Sequence, residues 1–243
     1  MTRILMSNHY FQFKQFRIDQ EGAAMKVGTD GVLLGAWARL VGTEKRLLDI
    51  GTGTGLIALM MAQRSPEAII DAIEIEPEAV RQAEKNTASS PWPGRIRVYA
   101  MPVQEFARQA TERYDHILSN PPFFIRSLKA PDVSRSTARH TDTLSLKDLV
   151  AAAGRLLAPE GCLSVIYPVE EGGLFEREAN KEGLFCQRKW WVKGTPDAAV
   201  KRVLMEYSRR KTDCQTEELV IEQTRQSYTA RYMELTKDFY LKF

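Results

Sequence analysis

The feature that most constrains the fold is a regular alternation of short apolar strands with helical patterns in the middle of the chain. The strand segments are RLLDI (46–50), AIIDAIEI (68–75), RIRVYA (95–100), YDHILS (114–119) and GCLSVIYP (161–168). Helical segments separate them, and SLKDLVAAAGRLL (145–157) is the most clearly amphipathic of these. Nearly continuous apolar strands joined by helices predict a parallel sheet with both faces covered.

The C-terminal part of the chain predicts a different local arrangement. FCQRKWWV (185–192) and KRVLMEYS (201–208) predict a hairpin, and SYTARYMELTKDFYL (227–241) predicts a closing helix. We therefore expect an α/β fold with a twisted, seven-stranded, mainly parallel sheet. The sheet should have an antiparallel edge strand and helices on both faces.

Composition favours a globular protein of a reducing compartment. Hydrophobic residues make up 44% of the 243 residues and charged residues 27%, as is usual for globular domains. No apolar run approaches the roughly 18 residues of a membrane span, and no signal-peptide pattern is present. The three cysteines and three histidines are scattered. We therefore expect no disulfide framework, no metal site and a cytoplasmic location.

A glycine-rich turn follows the first central strand in LLDIGTGTG (47–55). Asp49 lies at the end of the strand, and Gly51, Gly53 and Gly55 allow the backbone to approach a ligand closely. The spacing is neither GxGxxG nor GxxxxGK[ST], and no lysine is present to bind a phosphate. An ordinary tight turn between strand and helix is the alternative interpretation.

An acidic residue at the end of the second strand makes the ligand prediction more specific. Glu74 lies 19 residues after Gly55, where a carboxylate can accept hydrogen bonds from both hydroxyls of a ribose. Asp49 can meet an ammonium group near the glycine turn. Ribose and ammonium together suit S-adenosylmethionine better than a dinucleotide. Glu76 is the alternative ribose ligand, and Glu74 is preferred for its position relative to Pro77.

Three motifs in this order, LLDIGTGTGLIAL, AIEIEPEAVRQAEKN and YDHILSNPPFF, resemble those of class I S-adenosylmethionine-dependent methyltransferases. FQFKQF (11–16) and MKVGTDGVLLGAWA (25–38) resemble the N-terminal signature of the bacterial tRNA(Val) adenine N(6)-methyltransferases, which modify adenine 37 of the anticodon loop. The resemblance covers nearly the whole chain. It implies a Rossmann-like class I methyltransferase fold in a single domain over 1–243. Within it we expect an N-terminal extension over the cleft (1–40), a cofactor-binding core (41–168) and a C-terminal hairpin with closing helix (169–243).

The resemblance implies that Asp49, Glu74 and the glycine turn, including Thr52, hold the cofactor S-adenosylmethionine. It further implies that Lys26, Thr29 and Asp30 lie near the methionine end of the cofactor. The KVGTDGVLL stretch is equally typical of a loop that caps a helix through Asp30.

The sequence departs from the family pattern after the third strand. Many relatives carry there an aspartate that accepts a hydrogen bond from the cofactor adenine, whereas Pro102 stands at the matching place here. The backbone N–H of Val103 or the side chain of Gln104 is the candidate substitute.

The fourth strand ends in Asn120-Pro121-Pro122-Phe123, and prolines cannot continue a sheet ladder. The exocyclic amino group of adenine is a poor nucleophile because its lone pair is delocalised into the ring. Two fixed acceptors for its two hydrogens, the Asn120 side-chain oxygen and the Pro121 carbonyl, favour a pyramidal nitrogen. Phe123 can stack on the base. We therefore predict that these four residues are catalytic and that Asn120 also contacts the cofactor.

The charge distribution favours a nucleic-acid substrate over a protein substrate. The net charge is only +3, but residues 188–211 contain eight basic and two acidic residues. We predict RNA contacts from this segment and from Lys14, Arg17, Arg126, Lys129, Arg135, Arg139 and His140. Guanine N(2) or protein-glutamine methylation remains the enzymatic alternative, and a non-catalytic RNA-binding module is the alternative from another class.

Overall fold

A computed structural model describes residues 9–21, 25–121 and 144–242 of the chain. Its strands, in chain order, are β1 (Tyr10–Gln12), β2 (Arg17–Asp19), β3 (Arg46–Ile50), β4 (Ile69–Glu74), β5 (Ile96–Ala100), β6 (Tyr114–Ser119), β7 (Leu157–Pro168), β8 (Phe185–Lys193), β9 (Arg202–Ser208), β10 (Gln215–Val220), β11 (Glu222–Thr224) and β12 (Ser227–Tyr228). The helices of the same part of the chain are α1 (Thr29–Trp37), α2 (Leu56–Arg64), α3 (Pro77–Ala88), α4 (Val103–Gln109), α5 (Leu146–Leu156), α6 (Val169–Lys181) and α7 (Ala230–Thr236). None of these helices combines the length and the apolar character that crossing a membrane requires.

The central sheet confirms the predicted mainly parallel α/β architecture. Its strand order is β10-β8-β9-β7-β6-β3-β4-β5, and every neighbouring pair is parallel except the two that include β9. Because β3 lies between β4 and β6, the segments that follow these three strands emerge side by side at the carboxyl edge of the sheet.

Two details of the predicted sheet are wrong. The sheet has eight strands, not seven, because β10 pairs in parallel with β8. Residues of β10 are mostly polar and exposed, so the segment lacks the apolar pattern that predicts a strand. The antiparallel strand also lies inside the sheet, because β9 folds back from β8 and pairs with β7 on its other side.

Helices cover both faces of the sheet, as predicted. Adjacent residues of β3 face opposite ways, so that Leu47 packs in the cluster with α1 and α2, whereas Leu48 packs in the cluster with α4, α5 and α6. Both leucine side chains are fully buried, and burial of one leucine contributes roughly 1.5–3 kcal/mol to folding. The two-sided core fixes β3, and therefore the turn that follows it, in the middle of the carboxyl edge.

The N-terminal hairpin β1–β2 is fastened to this core through Asn86 of α3. The Asn86 Oδ1 accepts a hydrogen bond from the Asp19 N–H at 2.9 Å, and its Nδ2 donates to the carbonyls of Asp19 and Thr54 at 2.9 and 2.8 Å. Phe13 and Phe16 stack with ring centroids 4.6 Å apart and are buried. One buried amide thus joins the hairpin to the glycine turn.

Candidate active site

The glycine turn predicted after the first central strand has the backbone conformation that glycine permits. Gly51, Gly53 and Gly55 have φ values of 73°, 58° and 84°, which lie in the left-handed region that side chains disfavour. A Cβ built at Gly51 or Gly53 would have no heavy atom of the described residues within 4 Å. These two glycines therefore border open space, and this side of the turn can accept a ligand.

Asp49 lies beneath the turn and is fully buried. Its Oδ2 accepts hydrogen bonds from the Thr52 hydroxyl at 2.5 Å and from the Ala58 N–H at 3.1 Å. Burial, with a smaller contribution from the nearby Glu74 charge, raises the pKa of Asp49 to about 7 despite the lowering effect of those two donors. Asp49 and Thr52 therefore stabilise the glycine turn through these hydrogen bonds, a function that the sequence did not predict.

One atom of Asp49 remains available to a ligand. Its Oδ1 is buried and has no hydrogen-bond partner among the described residues. A buried acceptor without a donor is costly, and an ammonium group placed at the turn would satisfy it. The donor set therefore fits the predicted ammonium contact.

Glu74 bridges the end of β4 and the glycine turn. Its Oε2 accepts from the Gly53 N–H at 2.9 Å, while Oε1 accepts from the N–H groups of Ile75 and Glu76 at 2.8 and 3.1 Å. Each carboxylate oxygen has two lone pairs, so Oε2 can still accept one further donor such as a ribose hydroxyl. Glu76 is exposed and makes no such bridge, so the geometry favours Glu74 as the ribose ligand.

The residues considered for adenine recognition lie at the start of α4. Pro102 precedes the helix, and its carbonyl accepts from the N–H groups of Glu105 and Phe106 at 3.0 Å. The Val103 side chain is buried in the core, so only its main chain can face a ligand. The Gln104 side chain is half-buried. Both candidate donors therefore lie just past the carboxyl end of β5.

The predicted methionine-end residues surround the start of α1. Thr29 is the first residue of the helix and, like Lys26, is exposed. Asp30 forms an ion pair with Arg202 at the start of β9, with 2.7 Å between Oδ2 and Nε. No side-chain capping bond is made at the N-terminus of α1, so the interpretation of Asp30 as its cap is wrong.

Asn120 follows β6 directly, beside the glycine turn. The Ser119 hydroxyl donates to the Ile50 carbonyl at 2.8 Å, which ties the end of β6 to the end of β3. A Cβ built on Gly31 of α1 would lie 3.8 Å from the Asn120 Nδ2. Asn120 is half-buried and Pro121 is buried, so α1 and the sheet both restrict the position of the amide.

Several predicted site residues lie outside the described residues. They are Pro122, Phe123, Arg126, Lys129, Arg135, Arg139 and His140. Their predicted functions in base stacking and RNA contact stay predictions.

The basic hairpin 188–211 is largely occupied by contacts within the protein. Ion pairs join Arg188 to Glu206, Lys189 to Glu176, Lys193 to Glu218, Arg202 to Asp30 and Arg210 to Glu160. Lys14 also makes an internal contact, because its Nζ donates to the Lys237 carbonyl at 2.5 Å. The hairpin as a whole is therefore a poorer RNA surface than its composition indicated.

A buried polar network beneath the site has no counterpart in the sequence motifs. The Glu206 carboxylate accepts hydrogen bonds from Arg188 Nη2 at 2.9 Å and from the Ser164 hydroxyl at 3.3 Å. The Ser164 Oγ also lies 2.8 Å from His116 Nε2. Burial lowers the pKa of His116 to about 4. Arg188 also stacks over the Trp37 ring at 3.7 Å. The network joins α1 to the four strands β6, β7, β8 and β9.

Comparison with known proteins gives the family. The family model "Methyltransferase small domain" matches residues 30–171. The chain is 50% identical over 98% of its length to a tRNA1(Val) (adenine(37)-N6)-methyltransferase of Trichodesmium erythraeum, all of which it covers. It is 49% identical over 98% of its length to the protein of the same name from Parabacteroides distasonis, again covering all of it.

A solved structure gives the same fold at lower sequence similarity. A predicted O-methyltransferase from Agrobacterium tumefaciens superposes with a TM-score of 0.66 at 18% identity, over 86% of this chain and 96% of that one. The two relatives match over their full length, with about half of the residues identical. Together with the geometry of the carboxyl edge, this similarity shows that the chain belongs to the family of the tRNA1(Val) (adenine(37)-N6)-methyltransferases.

Proposed function

We propose that this protein transfers a methyl group from S-adenosylmethionine to the N(6) amino group of an adenine in tRNA. The substrate we propose is adenine 37 of tRNA1(Val), the position named for its relatives. The observation that carries the proposal is the placement of Asn120 directly beside a glycine turn that is bridged on its other side by Glu74. An amide acceptor and a cofactor site thus share one edge of the sheet.

The residues that would hold the cofactor are those of the glycine turn with its two flanking carboxylates. Glu74 Oε2 would accept from a ribose hydroxyl, Asp49 Oδ1 would accept from the ammonium group, and the open surface at Gly51 and Gly53 would admit the ligand. When bound, S-adenosylmethionine supplies a methyl group that is already electrophilic because it is carried by a sulfonium.

The protein groups at the end of β6 then orient a weak nucleophile, the adenine amino group. The Asn120 side-chain oxygen and the Pro121 carbonyl would accept from the two amino hydrogens, which directs the nitrogen lone pair out of the plane of the base. Both acceptors are set in advance, because proline restricts its own φ and the preceding residue. Acceptors fixed before the reaction stabilise the transition state more than mobile ones.

The proton released on methylation need not be taken by a strong base. The methylated nitrogen would be acidic until it loses a proton. The Asn120 and Pro121 carbonyls would hold that proton in a hydrogen bond until it passes to water. No ionisable side chain is required at the amino group for this step.

Methylation of defined transcripts tests the proposal. Purified protein is incubated with labelled S-adenosylmethionine and either tRNA1(Val) transcript or the same transcript with guanine at position 37, and the nucleosides are separated by mass spectrometry. We expect N(6)-methyladenosine only from the adenine transcript. Label in guanine, or in a purified peptide release factor but not in tRNA, would instead support the guanine or glutamine alternative. The absence of transfer to all of these substrates would support a non-catalytic RNA-binding module.

A further inference from the structure

The carboxyl edge of the sheet is electrostatically asymmetric about the glycine turn. On the β4 side it bears Glu74, Glu76 and Glu78, of which Glu78 pairs with Arg81. On the β9, β8 and β10 side it bears Lys201, Lys193 and Arg225, together with the acidic Asp197 and Glu222. Exposed cations that can meet a polyanion near Asn120 therefore lie on the β9 side rather than on the β4 side.

Two cations on the favourable side are not neutralised. Lys193 pairs with Glu218 and Arg202 with Asp30. Lys201 and Arg225, by contrast, are exposed and have no carboxylate partner among the described residues. These two side chains can contact phosphates, and so displace counterions from the RNA, without breaking an existing ion pair.

The backbone places both cations at the same edge as Asn120. Lys201 precedes β9, which is antiparallel to β7, so the start of β9 lies where the parallel strands end. Arg225 lies at the tip of the β11–β12 hairpin, which continues from the end of β10. That hairpin is held to the end of β8 by hydrogen bonds from Ile221 N–H to the Lys193 carbonyl at 3.0 Å and from Glu222 N–H to the Gly194 carbonyl at 2.8 Å.

The hairpin tip also has an unusual backbone conformation. Thr224 pairs with Ser227, which leaves Arg225 and Gln226 as the two central residues of the turn. Gln226 has a φ of 66°, and it is the one described non-glycine residue with positive φ. Glycine or asparagine is usual at such a position, and a side chain retained there at an energetic cost indicates a function for that side chain.

We infer that Lys201 and the hairpin tip, Arg225 and Gln226, form a phosphate-contacting surface for the tRNA backbone that flanks the methylated base. The inference rests on the proposed function and names the part of the protein that holds its RNA substrate. Strands β6 and β10 are four neighbours apart in the sheet, which is about 19 Å at roughly 4.8 Å per strand. The surface therefore contacts RNA beyond the target nucleotide and positions it without touching the reacting atoms.

Steady-state kinetics on tRNA test this surface, with variants Lys201→Ala, Arg225→Ala and their combination. Lys45→Ala is the matched control, because Lys45 is exposed just before β3 at the opposite edge. Each single change at the surface should raise KM for tRNA by roughly three- to tenfold, and the two effects should combine. We expect kcat and KM for S-adenosylmethionine to be unchanged. The slope of log(kcat/KM) against log salt should become shallower by about 1 for each cation removed.

Gln226→Gly distinguishes an RNA contact made by the Gln226 side chain from a purely structural function of this residue. Glycine relieves the left-handed conformation, so a purely structural Gln226 predicts an unchanged or lower KM. A contacting amide predicts that KM for tRNA rises roughly two- to fivefold. An unchanged KM would remove Gln226 from the surface.

The inference is overturned if the Lys201 and Arg225 double variant keeps the wild-type KM and salt slope, or if Lys45→Ala produces the same loss. These outcomes are distinct from failure of the proposed function, in which the wild-type protein itself methylates no tRNA. In that case the dissociation constant for tRNA, measured by fluorescence anisotropy, replaces KM. Equal binding by the wild type and the double variant would then refute the surface.

Discussion

Replacement of Glu74 by glutamine removes a charge from the bridge between β4 and the glycine turn while preserving the size of the side chain. The carboxylate accepts from three N–H groups, one on Gly53 and two on Ile75 and Glu76. Glutamine has one acceptor oxygen and must direct its amide NH₂ at the remaining donor. At least one charge-assisted hydrogen bond is therefore lost.

The magnitude follows from that single bond. A hydrogen bond to a charged group contributes about 1.5–3 kcal/mol, and half-burial of Glu74 favours the lower end. Because Gly53 faces the open side of the turn, we expect the loss to appear as weaker cofactor binding. About 1.4 kcal/mol corresponds to a tenfold change, so KM for S-adenosylmethionine should rise by at least about tenfold.

Initial rates at varied S-adenosylmethionine and saturating tRNA measure this effect, and Glu76→Gln is the matched control. We expect kcat of Glu74→Gln to remain within a few-fold of the wild type and Glu76→Gln to change KM by less than about twofold. The reasoning is refuted if KM for the cofactor is unchanged in Glu74→Gln while kcat falls, or if Glu76→Gln shows the larger effect.

Three further changes test separate parts of the structure. Gly53→Ala forces a side chain into the left-handed region, which costs roughly 1–2 kcal/mol, and its Cβ projects into the open space beside the turn. Cofactor affinity by calorimetry should therefore fall by more than thermal stability does, and equal losses would count against a ligand at that surface. The pKa of Asp49 is raised on folding to about 7, so the folded state binds the extra proton and the wild type loses stability as pH rises from about 4 to about 7. Urea unfolding of Asp49→Asn should show a smaller loss over that window, and parallel pH curves would contradict the assignment. Glu206→Ala leaves the half-buried Arg188 guanidinium without its carboxylate and should lower the free energy of unfolding by roughly 3 kcal/mol. Simultaneous replacement of Arg188 by Met should recover part of that stability, and no recovery would refute the pairing as the cause.

The parts of the fold that were predictable from the sequence are those with a dense local pattern. β3 and β6 begin and end at the predicted residues, because their apolar runs are bounded by a glycine turn in one case and by proline in the other. The same local signals placed the glycine turn, Glu74 and Asn120 at strand ends. Parallel pairing then brings those ends to one edge without further information.

The parts that were not predictable depend on residues far apart in the sequence. The interior position of β9 follows from its pairing with both β7 and β8, and no local sequence pattern predicts these two pairings. Composition predicts that Arg188 is an RNA-facing cation, but its partners lie within the protein. Its Nη2 donates to the Trp37 carbonyl, 151 residues away, and to Glu206.

The function of Asp49 in stabilising the glycine turn was not predictable for a related reason. A carboxylate before a glycine turn suits an ammonium ligand equally well whether or not the turn uses one of its oxygens. Only the structure shows that Oδ2 is taken by Thr52 and Ala58, so that Oδ1 alone remains for a ligand.

The most direct test of the central claim is the single-turnover rate of methyl transfer to tRNA by Asn120→Ala, with both substrates saturating. Asn180→Ala is the matched control, because Asn180 is exposed near the end of α6, away from the carboxyl edge. Loss of one preorganised acceptor should slow the transfer on the order of 10²-fold, with KM for S-adenosylmethionine within a few-fold of the wild type and Asn180→Ala unchanged. A rate for Asn120→Ala within a few-fold of the wild type would contradict the claim that this amide orients the nucleophile.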